Sequence, residues 1–97
     1  MCTTISDHAA VTGSGKHDGG WFRVEHAHLA YDHPSHAALE HALLLDFAGR
    51  AGDRPARLAV ELSLDSARRL AEALTRTVEA AEAYERKLDE QARATAG

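Results

Sequence analysis

Alternation of large apolar residues with small or polar ones marks Arg57-Leu58-Ala59-Val60-Glu61-Leu62 as a strand. Leu58, Val60 and Leu62 take the inner face, while Arg57 and Glu61 point to water. Two longer runs precede it. Trp21–Tyr31 and Ala37–Phe47 read as the arms of a hairpin, with Asp32-His33-Pro34-Ser35 as the turn. Apolar parity in the first arm switches from Phe22 and Val24 to Leu29 and Tyr31, which marks a bulge beside His26–His28. Gly49, Gly52, Asp53 and Pro55 read as a polar connection. Upstream, Thr3 to Val11 reads as a short strand or arm, followed by a flexible glycine-rich loop.

A different period governs the rest of the chain. Ala67, Leu70, Leu74, Val78, Ala81, Tyr84 and Leu88 recur in steps of three and four. Ser63 is a good N-cap and Asp65 suits the positive helix end, so residues 64–94 are expected to form one helix. At about 1.5 Å per residue it extends about 45 Å, longer than a small sheet. The expected fold is α+β, a small antiparallel β-sheet of 3–4 strands with one long C-terminal α-helix packed on it. The 97 residues make one domain, with an arm and loop over 1–20, the sheet over 21–62 and the helix over 64–94. Aromatic residues are only 5% of the chain, so the core is thin and a homodimer through the C-terminal helix is expected.

Charge narrows the partners. The net charge of −4 gives no basic face for phosphates, so nucleic acid is not expected as a partner. No apolar run approaches the roughly 18–20 residues of a membrane span. Met1 to His8 shows no basic segment leading into an apolar one, and the lone Cys2 fits a reducing compartment, so a cytoplasmic location is expected. Gly13-Ser14-Gly15-Lys16 lacks the spacing of a phosphate loop and no long helix follows it.

Histidine is the anomaly: all 7 lie between His8 and His41. A turn at residues 32–35 pairs Phe22 with Leu45, Val24 with Leu43, His26 with His41 and His28 with Leu39. That places His26, His28 and His41 on one face, a set suited to Zn, Fe, Ni or Cu with one coordination position open. A second constellation overlaps it. With residues 33–40 helical, His33, His36 and Glu40 share a face beside His41, two imidazoles and a carboxylate of the kind non-haem iron and zinc accept. Glu40 can instead serve as general base, and Cys2 as soft ligand or nucleophile. His8 and His17 read as ordinary surface residues, and Trp21 and Phe22 as core or lid.

These residues also carry a resemblance. Met1-Cys2-Thr3, Gly-Ser-Gly-Lys at 13–16, Gly20-Trp21-Phe22, Asp32-His33-Pro34 with His36-Ala37, Glu40-His41-Ala42-Leu43, Asp46-Phe47 and Ala59-Val60-Glu61-Leu62-Ser63 before Ser66-Ala67-Arg68 follow one pattern. It resembles a family of short actinobacterial proteins carried as a domain of unknown function, over roughly residues 1 to 78. The resemblance implies a recurring small soluble domain, draws attention to Cys2, His33, His36, Glu40 and His41, and leaves His26 and His28 outside the pattern. Two functions stay open. One is a metalloenzyme using a divalent transition metal on a small molecule, with specialised metabolism as the setting the resemblance implies. The other is a non-catalytic dimeric binding or regulatory module whose histidines sense metal or pH.

Overall fold

The computed structural model describes residues 5–96. It shows an α+β fold: a four-stranded antiparallel meander followed by one long helix. The strands are β1 (Ser6–His17), β2 (Gly20–Asp32), β3 (Ala42–Ala51) and β4 (Arg54–Leu62), hydrogen-bonded in chain order, and the helix α1 spans Leu64–Ala96. The chain divides into two compact units, the sheet up to Leu64 and the helix from Asp65.

The glycine-rich stretch read as a loop is strand instead, since β1 runs on to His17. The cause is packing. Gly15 pairs with Phe22, and a Cβ there would stand 3.0 Å from the Phe22 ring and 3.2 Å from Val24. Glycine therefore makes room for the two large side chains that the sheet buries best, Phe22 and Val24. Trp21, on the opposite face, is 67% exposed with the Lys16 ammonium 5.9 Å from its ring centre, so of the two neighbouring aromatics only Phe22 is core.

Both hairpin turns are tight. Asp18 and Gly19 separate His17 from its partner Gly20, and Gly52 and Asp53 separate Ala51 from Arg54. Gly20 and Gly52 have positive φ, which costs glycine least. The connection expected over Gly49 to Pro55 thus shrinks to two residues, and Gly49 and Pro55 belong to β3 and β4.

The central hairpin departs most from its expected register. Tyr31 pairs with Leu43, Leu29 with Leu45, and Ala27 with Phe47. The connection covers residues 33–41, not 32–35, and β3 begins at Ala42 rather than Ala37. This register gathers Leu29, Tyr31, Leu43, Leu45, Phe47, Leu58, Val60 and Leu62 on one face. The bulge inferred from apolar parity is present: the register shifts between Val24 and His26, leaving Glu25 as the extra residue. A matching shift in β1 lies between Ala10 and Gly13. Bulges strengthen twist, and parts of β1 and β4 come within 8 Å, whereas the first and fourth strands of a flat sheet stand roughly 14 Å apart.

The helix starts directly after Ser63, carries Asp65 in its first turn paired to Arg69, and ends with Arg93 in its last turn. None of its described side chains is buried. Leu70, Leu74, Val78, Tyr84 and Leu88 stand exposed along its length. No helix among the described residues is long and apolar enough to cross a membrane.

Candidate functional site

The histidines fall into two groups, and the register decides which. Beyond the bulge at Glu25, even-numbered positions of β2 turn to the face opposite Leu29 and Tyr31. His26 and His28 lie on that outer face, and both are exposed. His8 of β1 is the direct partner of His28. The ring centres of His8 and His28 stand 6.0 Å apart, and those of His26 and His28 5.9 Å. On the other side, His28 pairs with Asp46 of β3, whose carboxylate is held by the Arg57 guanidinium, Nε to Oδ1 at 3.1 Å. His41 does not face His26. His26 pairs with Ala48, so the expected His26–His28–His41 set is not formed. The expected turn was too short, and the odd change in register sent His41 elsewhere.

His41 instead belongs to the loop of residues 33–41, which is neither helix nor strand, so the helical face proposed for His33, His36 and Glu40 does not exist. The His33 and His41 rings stack at 4.7 Å, and His41 stacks on Tyr31 at 5.5 Å. His33 Nδ1 lies 2.9 Å from the Glu40 carbonyl oxygen. A carbonyl only accepts, so Nδ1 carries the proton and Nε2 the lone pair of the neutral ring. Asp32 accepts from the His33 backbone N–H at 2.7 Å. The side chains of His36 and Glu40 are exposed. Cys2 lies outside the described residues.

What shapes this loop is a residue expected to face only water. The Glu61 carboxylate accepts backbone N–H bonds from Ser35 at 2.6 Å, His36 at 3.0 Å and Ala37 at 2.8 Å. Pro34 keeps the preceding backbone extended, and the three following N–H groups converge on one carboxylate instead of a strand. The bond from Ala37, then that from Ser35, holds the Glu61 carboxyl below the usual carboxylate range. A depressed folded-state pKa means the clamp contributes above the usual carboxylate range and is lost as pH falls through Glu61's own lower value. The Ser35, His36 and Ala37 amide resonances should therefore move together in acid, with one inflection below the usual range. Glu61→Gln should remove that inflection. Amides that stay put through the acid range would show that the clamp does not form in solution.

Among the described residues, no three His, Cys, Asp or Glu side chains stand ready to hold a metal ion. The structure nevertheless brings His8, His26 and His28 together on one face, and His33 and His41 together on the loop. His17 is apart from both, its Nδ1 accepting the Gly19 N–H at 2.8 Å and its ring against Phe22. His8, Asp46 and Glu61 were not singled out from sequence. His8 was legible only once β1 is known to pair with β2. Glu61 had no local signal, because its partners lie 24 to 26 residues away. Gly13 to Lys16 lie in extended strand, which offers no cradle for phosphate.

Comparison with curated proteins and with solved structures gives no match. A family model does match, over residues 1–87, and by it the chain belongs to a family of unknown function, DUF6295.

Proposed function

We propose that the protein is a small cytoplasmic metal-binding module that works as a homodimer and takes up a divalent transition metal through histidines of its sheet unit. The observation that carries this reading is the gathering of His8, His26 and His28 on one sheet face and of His33 and His41 at the adjoining loop. Neutral imidazole suits Zn, Fe, Ni and Cu. His8, His26, His28, His33 and His36 are exposed, so an ion reaches them from solvent without an opening step. That exposure favours binding over chemistry that needs water excluded. The dimer reading rests on α1, whose large apolar side chains are exposed along one stripe.

A second reading, catalysis at the loop on a small molecule, is favoured by one contact. Donation of His33 Nδ1–H to a backbone carbonyl is the way metal-bound imidazoles are commonly oriented. Glu40 would then act as general base beside it, with Cys2 as a further candidate.

Elemental mass spectrometry of untagged protein is the test. Near-stoichiometric zinc, iron, nickel or copper per chain is the expected result. Protein that is metal-free and also takes up none of these ions when titrated would overturn the reading.

A further inference from the structure

We infer that His8, His26 and His28 form a three-imidazole site for one divalent transition metal, with a fourth position open to water or an added ligand. The inference rests on the metal-binding reading above and assigns its site. It begins with register. His8 and His28 are directly paired across β1 and β2. Side chains so paired have Cβ atoms roughly 4.5–5.5 Å apart. His26 lies two residues before His28 on the same strand, and so on the same face, at roughly 6.6 Å of strand rise. Two adjacent antiparallel strands thus present three imidazoles at the corners of a small triangle.

The spacings from His28 to each of the other two rings fit. A ring ligating zinc at roughly 2.0–2.1 Å has its centre roughly 3.2 Å from the ion, and two such rings at a tetrahedral angle stand roughly 5.2 Å apart. The observed 6.0 Å and 5.9 Å exceed that by less than 1 Å. Rotation about χ1 and χ2 of exposed side chains closes such a gap within ordinary rotamer freedom. As they stand the His8 and His28 rings are stacked, with planes 29° apart, and the His26 and His28 rings are tilted by 34°, and no ready-made ligand set exists among the described residues. No hydrogen bond among the described residues ties down any of the three rings, so rotation trades only the ring contacts of His28 for coordination.

The surroundings agree with the donor set. His26 is flanked by Ala10 on β1 and Ala48 on β3, whose methyl groups leave room above the sheet for an ion and its water. Asp46, beside His28, is already engaged by Arg57, so the site is made of nitrogen rather than carboxylate oxygen. Such a set selects zinc, nickel, copper or cobalt over magnesium and calcium.

The full chain is titrated with Zn2+ by calorimetry and with Co2+ by visible absorption, beside His28→Ala, His8→Ala and a His33→Ala/His41→Ala double variant. One ion per chain is expected, with tetrahedral Co2+ absorption in the wild type. His28→Ala and His8→Ala should each weaken binding roughly 100-fold or more, and the loop variant should bind as the wild type does. Paramagnetic broadening by Ni2+ in the unmutated protein should fall first on the His8, His26 and His28 ring resonances, a readout independent of variant folding. Metal binding that survives at the sheet variants and disappears in the loop variant would overturn this site while leaving the metal-binding reading intact. No uptake by the wild type would overturn both.

Discussion

Gly49→Ala is expected to lower stability by about 3 kcal/mol or more, among the larger effects a single substitution has. At roughly 4–8 °C per kcal/mol for a domain of this size, the melting temperature should fall by at least about 12 °C. Gly49 pairs with Val24 at the bulge where Glu25 is the extra residue. A Cβ built on it would lie 1.7 Å from the Arg23 carbonyl oxygen, 2.8 Å from its carbon and 3.0 Å from the Val24 Cα. All three atoms are backbone, so no rotamer relieves the clash. The methyl group can enter only if β2 and β3 separate there, and that opens the cover over Phe22 and Val24, two of the few buried side chains. Gly13→Ala is the control, because nothing lies within 4 Å of a Cβ at that position. It should change stability by less than about 1 kcal/mol. Urea unfolding of both variants, followed by circular dichroism, is the measurement. A Gly49→Ala protein as stable as the Gly13→Ala control would show that β2 and β3 do not approach this closely.

The second large effect is on association. Leu70→Glu combined with Leu74→Glu should convert a dimer to a monomer at micromolar concentration by sedimentation equilibrium. The two leucines are 49% and 60% exposed on α1 and lie four residues apart on its apolar stripe. The stripe continues through Val78, Tyr84 and Leu88, long enough for the paired seam that the proposed dimer would need. Acidic and basic residues are interspersed along the rest of the helix in short runs, the longest being Glu79, Glu82 and Glu85, so both signs are available to a second copy. Each buried leucine is worth roughly 1.5–3 kcal/mol, and a dimer loses four of them, which is several powers of ten in Kd. Glutamate is a good helix former, so helicity should survive and the effect will read on mass alone. A monomeric wild type, or a double variant that remains dimeric, would remove the helix as the seam.

The helix was legible because its period holds from Ala67 to Leu88 with no glycine or proline to interrupt it. The bulge was legible too, because a parity switch within one strand has few other causes. The hairpin register was not. Asp32, Pro34 and Ser35 signal a turn, but nothing local says that the connection runs to His41. That length is set by Glu61, far downstream, and it decides which residues His26 and His28 face. β1 was shortened for a related reason. Glycine ordinarily marks a loop, whereas Gly15 is there to make room for the Phe22 ring of a neighbouring strand. The candidate residues were therefore readable as types, while their grouping depended on contacts distant in sequence.

The Glu61 clamp ties the middle of the chain to its last strand. Ser35, His36 and Ala37 leave the β2–β3 hairpin with three amides that find their acceptor only when β4 docks. The first three strands can zip together by neighbouring contacts, yet the histidine loop waits for residue 61. Order in the loop thus reports completion of the sheet. A chain ending before β4 would lose the acceptor that shapes the loop carrying His33 and His41, while the His8–His28 pairing lies on β1 and β2, so loop shape is the last part of the sheet to be fixed and the first to be released when the edge strand peels away.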